Sequence, residues 1–150
     1  MIQKLEPKMK IDEINTLLAA TFPQAFGENT PFRLLEIIPS GAVLRLDPDE
    51  GHLRHGGTVS GPTMFALADI AGYIAILAHL EDATHTVTSN MTISFLNKPE
   101  HAPLYARAVI LKLGRQQAVI NISIHSVETD YLLAHATATY ALPTQRKPAK

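Results

Sequence analysis

The stretch "TMFALADIAGYIAIL", residues 63–77, constrains the fold more than any other part of this chain. On a helix its apolar side chains, among them Met64, Phe65, Leu67, Ile70, Ile74 and Leu77, point in nearly every direction, whereas a helix lying on a surface shows a single apolar stripe. Such a helix has to be covered on most sides. Gly61-Pro62 marks its start, because a proline in the first turn gives up an N–H that has no partner there and brings a preset φ. The pattern predicts a helix from Pro62 to His79. One carboxylate, Asp69, interrupts it at the centre. An ionised Asp among aliphatic neighbours loses hydration worth several kcal/mol unless it is paired or reaches water, and no Lys or Arg lies between residues 56 and 97 to pair with it locally. Asp69 shares its face with Phe65 and Ala66 one turn before and Gly72 and Tyr73 one turn after. The small Ala66 and Gly72 let something approach closely there, either a backbone or a ligand.

What covers the helix is read from its flanks. Ile11, Ile14, Leu17 and Leu18, with Asp12 and Glu13 in the first turn, predict an N-terminal amphipathic helix over about residues 10–21. "FPQAFGENTP" reads as a connection, and "FRLLEII", "PSGA" and "VLRLD" as strand, turn and strand. "PDEGHLRHGG" is too polar and Gly-rich for a regular element and reads as a loop. After the helix, "HTVTSNMTISFLN" alternates with period two, placing Thr88, Asn90, Thr92 and Ser94 on one face and Val87, Ser89, Met91, Ile93 and Phe95 on the other. "LYARAVILKL", "QAVINISIHSV" and "YLLAHATATYAL" follow as three further strands with short connections, an antiparallel meander. A sheet that must bury an all-round apolar helix can curl around it, which predicts an α+β architecture. The chain reads as a single domain over residues 1–150, with its core at about 32–141 and a basic tail, "PTQRKPAK", at 143–150 that frays.

Composition removes several function classes. The formal net charge is −1, without the basic excess that nucleic-acid and acidic-membrane binders carry. There is no cysteine, hence no disulfide framework, Cys-ligated zinc or thiol nucleophile, which suits a cytoplasmic location. "MIQKLEPKMKIDE" has no apolar core of a secretion signal. The run from Val59 to Leu80 nearly reaches the length of a membrane span, but Asp69, the Gly-Pro opening and four following amphipathic strands argue against a membrane. His52 and His55 lack a metal-ligand pattern such as His-Glu-x-x-His, so no metal is expected.

"GPTMFALADIAGYIAIL" followed by "TSNMTISFLNKP" resembles the PaaI-like branch of the hotdog-fold acyl-CoA thioesterases, over roughly residues 32–141. The resemblance implies a hotdog fold, with a curled antiparallel sheet wrapped around the long helix, and hydrolysis of an acyl-CoA thioester. Asp69 is then the general base or the nucleophile, and backbone N–H groups at the helix start hold the developing oxyanion. A helix N-terminus offers unpaired donors and positive potential. Pro62 has no N–H, which leaves Gly61, with Thr63, to supply the donor. Thr88 matches the Ser or Thr that the partner subunit's strand offers to the water or carboxylate, and its face mate Asn90 joins it. The family commonly has His-Gly-Gly leading into the helix with the Asp nine residues after the His. At that spacing this chain has Ser60-Gly61-Pro62, which makes the side chains of Ser60 and Thr63 candidate substrate contacts, while its literal His-Gly-Gly, His55 to Gly57, lies five residues too early. His55 is therefore a loop residue that points toward the site only if the loop folds back. Lys98, Lys112 and Arg115 become candidates for the phosphates of coenzyme A, which enters as part of the substrate; no separate cofactor is implied. The resemblance also implies a homodimer, and commonly a dimer of dimers. Two other readings stay open: a non-catalytic acyl-CoA binder on the same fold, and a hotdog hydratase or dehydratase, which would pair a His with a carboxylate across the cleft.

Overall fold

A computed structural model describes residues 4–144. Most of the predicted tail therefore lies outside the described residues. Helix α1 (Ile11–Thr21) carries Asp12 and Glu13 in its first turn, and the Glu13 side chain accepts the Lys10 N–H at 3.0 Å. It buries Ile14 and Leu18 completely and ends at Phe22, ahead of a proline that disfavours helical backbone in the residue before it. The stretch expected as a plain connection holds one further turn, α2 (Pro23–Phe26), begun by that proline. Strands β1 (Phe32–Ile38) and β2 (Gly41–Leu46) form the expected hairpin. β2 starts at Gly41 because a Cβ there would lie 2.2 Å from the carbonyl oxygen of Ala108, so only glycine lets the turn close against the neighbouring strand. The polar loop contains a short 3₁₀ turn, Glu50–His52.

Helix α3 (Gly61–His79) is the predicted central helix, with Gly61 in its first position and Pro62 in its second. Strands β3 (Val87–Phe95), β4 (Leu104–Leu113), β5 (Gln117–Ser126) and β6 (Leu132–Ala141) complete one antiparallel six-stranded sheet of order β1-β2-β4-β5-β6-β3. This is the α+β hotdog layout. The sheet curls because extra residues bend its strands: Leu35, Ser89, Leu111 and Leu133 each fall where the pairing register slips by one, and a bulge increases local twist. Two of these residues, Leu35 and Leu111, are among the exposed large apolar side chains, pushed outward by the slip rather than left over from a failed core.

The concave face supplies Leu44, Leu46, Leu104, Ile110, Ile120, Ile122 and Ile124, each almost fully buried. Every such side chain removed from water contributes roughly 1.5–3 kcal/mol. Alanines at 134, 136 and 138 on β6 and at 68, 71, 75 and 78 on α3 are also buried and allow the helix and the strands to approach closely. By length and composition α3 is long and apolar enough to cross a membrane. In this fold eleven of its nineteen residues are buried inside the chain, as in a core helix.

Candidate active site

The sheet leaves one side of α3 uncovered. Pro62, Phe65, Ala66, Asp69, Ile70 and Tyr73 are only partly buried or exposed, and their spacing of three and four places them along a single stripe. The carboxylate lies in the middle of it. Asp69 Oδ1 accepts a hydrogen bond from the hydroxyl of Thr88. The hydroxyl of Tyr140 donates to the Asp69 backbone carbonyl at 2.7 Å and lies 3.4 Å from Oδ1. Among the described residues no cation pairs with Asp69, and Oδ2 receives no protein hydrogen bond. One carboxylate oxygen is thus held, and the other is open to accept a proton.

Tyr140 explains the small residues of the helix face. A Cβ on Gly72 would lie 2.2 Å from the Tyr140 hydroxyl oxygen and 2.8–2.9 Å from its ring, so the group that approaches α3 at Gly72 is a side chain from β6. Burial pushes the Tyr140 phenol well above its usual range; the nearby Asp69 carboxylate and the hydrogen bond to it add to the shift, while Thr88 opposes it. The group remains a neutral donor. The sequence signal for it was present in "ATATYAL", where Tyr140 continues the phase of Ala134, Ala136 and Ala138.

Within one chain Thr88 already reaches Asp69. It faces the helix together with its pairing partner Tyr140. Thr88 pairs with Tyr140, but two residues later Asn90 pairs with Thr139, whose side chain points to the opposite face of the sheet from Tyr140. Thr88 and Asn90 are therefore not face mates, and the structure does not bring Asn90 to Asp69.

Asp69, Thr88 and Tyr140 line a cavity of about 620 Å³, whose other walls include Phe22, Ile70, Tyr73, His85, Thr86 and Val87. The Tyr73 hydroxyl donates to the carbonyl of Thr84 at 2.8 Å and so ties the segment after α3 to the helix. Burial raises the Tyr73 phenol as well.

Gly61 lies elsewhere on the stripe. It lines a groove of about 510 Å³ with Arg54, Met64, Phe95 and Lys98, and a Cβ on it would lie 3.3 Å from the Phe95 ring. Its N–H belongs to the first turn, where helices leave donors without intrahelical acceptors. Ser60 caps the helix, accepting the Thr63 N–H at 3.2 Å, and the two hydroxyls lie 2.7 Å apart. Thr63 in turn donates to the carbonyl of His52 at 3.2 Å. Both residues named as substrate contacts are thus engaged in capping. His55 is exposed at the tip of a loop closed by the Leu53–Val59 bridge, with Gly56 and Gly57 at φ 103° and 85°, and it lines neither space. Lys98 is placed beside Gly61. Arg115, with Lys112, instead lines a space at the far end of α3 next to Leu80, so one chain does not gather the expected cations. Arg54, which sequence reasoning passed over, sits nearer the helix start than Arg115. Among the described residues there is no group of three or more His, Asp or Glu placed to hold a metal ion.

Comparison with known proteins agrees with this layout. A family model described as the thioesterase superfamily matches residues 56–133. A curated Pseudomonas aeruginosa protein, named provisionally as an esterase, is 30% identical over 102 residues, covering 67% of this chain and 75% of that protein. A crystal structure from Silicibacter, named provisionally as a thioesterase, superposes with a TM-score of 0.84 at 40% identity, covering 95% of this chain and 98% of the other. A Streptococcus pneumoniae structure, described as a hypothetical thioesterase with coenzyme A, superposes with a TM-score of 0.69 at 20% identity, over 80% and 93% of the two chains.

Proposed function

The chain belongs to the thioesterase superfamily, and from that membership we propose that it hydrolyses acyl-CoA thioesters, with Asp69 performing the chemical step. The observation that carries the reading is the half-buried Asp69 carboxylate, held at one oxygen by Thr88, unpaired by any cation among the described residues, and opening on a cavity. That cavity is of the size that takes a small ligand. The coenzyme A recorded with the Streptococcus protein supports the choice of thioester.

In the base-catalysed form, a water gives its proton to Asp69 Oδ2 as its oxygen bonds to the thioester carbon. The tetrahedral oxyanion collapses, the C–S bond breaks, and the thiolate leaves with the proton that Asp69 accepted. Thr88 donates to Oδ1 and keeps its lone pairs free to accept from that water. In the nucleophilic form, Oδ2 itself bonds to the acyl carbon as the C–S bond breaks and the thiolate leaves, and water then attacks the Asp69 carbonyl carbon of the resulting anhydride. Hydrolysis in ¹⁸O-water under single turnover separates the two forms, because only the second leaves a heavy-oxygen label on the protein.

The oxyanion donor has to come from a second copy. Eight residues separate Gly61 from Asp69, about 12 Å along a helix, whereas donor and base must meet one carbonyl group, each at roughly 3 Å. The uncovered stripe of α3 and the edge strand β3, with Val87 and Phe95 more than half exposed, fit pairing of two chains in which Gly61 of one faces Asp69 of the other. Lys98, beside Gly61, then lies where phosphates of coenzyme A leave the cleft, and Arg54 joins it.

The test is release of free thiol from a panel of acyl-CoA substrates by the wild type and Asp69→Asn. Loss of turnover of about a hundredfold or more is expected for the variant, the scale on which a general base contributes. Equal turnover by the two proteins would remove Asp69 from the mechanism, and bound but unhydrolysed acyl-CoA would favour the non-catalytic binder.

A further inference from the structure

The cavity that begins at Asp69 has a wall that no part of the reaction requires. Residues 21 and 22, at the corner between α1 and α2, line it together with residues of α3. The Phe22 ring is braced by neighbours: its centroid lies 6.0 Å from that of Phe26, which lies 6.2 Å from that of Phe32 at the start of β1. Such tilted ring pairs resist displacement more than area alone would give. On α3 the lining runs from Asp69 through Ile70 to Tyr73, one turn further on, and the Tyr73 bond to Thr84 holds the remaining wall in place. The apolar part of the lining is Phe22, Ile70, Val87 and the tyrosine rings. Thr21, Thr84, His85 and Thr86 make the rest of the lining polar.

We propose that this cavity holds the acyl group of the substrate and that Phe22 sets its length, so that compact apolar acyl groups are accepted and long unbranched chains are refused. Phe22 is a specificity-determining residue on this view, and the inference rests on the hydrolase reading for its substrate class, not for the existence of the wall. A chain growing from the carbonyl at Asp69 gains about fourfold in affinity per methylene while it meets apolar wall. The gain stops where the chain meets the Phe22 ring. Removing the ring moves that stop outward.

Two measurements on the full chain test it together. One is kcat/KM for a series of unbranched acyl-CoA substrates of increasing length. The other is calorimetric affinity for the matching free carboxylic acids, which needs no catalysis. For the wild type both are expected to rise with length and then level or fall. In Phe22→Ala the break is expected to move to chains longer by about two methylenes, a gain of about fifteenfold at the first length the wild type refuses. Phe22→Leu, which keeps an apolar filler at the corner, is expected to move it by less and serves where circular dichroism shows the alanine variant unfolded. An unchanged length profile in folded variants, in both measurements, overturns the assignment of Phe22. Length-dependent acid binding that shifts with Phe22 but is accompanied by no hydrolysis of any acyl-CoA overturns the hydrolase reading and leaves the wall assigned.

Discussion

The Tyr140 hydroxyl hydrogen-bonds the Asp69 backbone carbonyl at 2.7 Å, and it can do so only because residue 72 has no side chain. Three residues from two elements thus form one unit. Tyr140→Phe is expected to lower kcat by a few-fold to about tenfold, the worth of one neutral hydrogen bond, with KM little changed, since the phenol holds the base and not the substrate. Gly72→Ala is expected to destabilise the chain by about 1–3 kcal/mol through overpacking. The double variant should recover only part of this, because the ring atoms 2.8–2.9 Å from the new methyl remain. Denaturant melts of the four proteins read the coupling, and simple additivity would show that the two residues do not share a site.

Thr88 donates to the carboxylate, so the residue matters through its hydroxyl. Thr88→Ala is expected to lower kcat with little change in KM, and Thr88→Ser to restore most of the loss. A change confined to KM would make Thr88 a ligand contact instead.

Gly61 is expected to act through its N–H. Gly61→Pro deletes that donor at a helix position that tolerates proline, after Ser60, whose φ −71° and ψ 152° suit the residue before a proline. Gly61→Ala keeps the N–H and presents the same Cβ to Phe95. A loss of about a hundredfold in kcat for the proline variant, as for removal of one oxyanion donor, with much less for alanine, is the expected result.

If Gly61 of one chain serves Asp69 of another, two inactive variants complement each other. Mixing equal amounts of Asp69→Asn and Gly61→Pro after subunit exchange is expected to restore about a quarter of wild-type activity, because half of the random dimers are mixed and each has one intact site. No recovery, with exchange verified by mass, would place both groups of a working site in one chain.

The tyrosines give a pH dependence. Burial, the largest cause in each case, raises the phenols of Tyr73 and Tyr140 above 10, and Tyr105, also bonded to Asp130, is pushed up to about 12. The folded chain therefore keeps phenolic protons that the unfolded chain releases above pH 10. Their contribution to stability is fully present below that pH and is lost as pH rises through the folded values. Urea midpoints are expected to fall between pH 10 and 12, and to fall less steeply in Tyr140→Phe. A slope unaltered by the substitution would assign the alkaline loss to other groups.

Much of this fold was legible in the sequence. The all-round apolar helix, its Gly-Pro start and the meander that wraps it follow from periodicity and turn residues, and Asp69 stands out because nothing nearby in sequence can pair with it. The rest depends on distances that periodicity does not carry. Tyr140 is seventy-one residues from Asp69, and only the curl of the sheet brings it to Gly72. Asn90 was placed with Thr88 by counting in twos, a rule that assumes an unbroken pleat, and one extra residue at Ser89 reverses it. Ser60 and Thr63 looked available for substrate, yet the first turn of α3 uses their hydroxyls, a competition that any helix start imposes. Arg115 and Lys98 lie apart within one chain because the β4–β5 turn emerges at the opposite end of α3 from Lys98.

The Ser89 bulge also bears on solubility. An unpaired strand edge is a template on which chains stack without limit, and β3, with its exposed Val87 and Phe95, would be such a template if it were straight. The slip between Thr88 and Asn90 leaves only the run from Asn90 to Phe95 regular, about 20 Å of edge. That is enough for one neighbour to register against, and the twist that a bulge adds works against flat stacking of many chains. Removing Ser89 would keep Thr88 turned toward the helix while straightening the edge, so the residue is expected to be dispensable for facing and needed to keep the protein from aggregating.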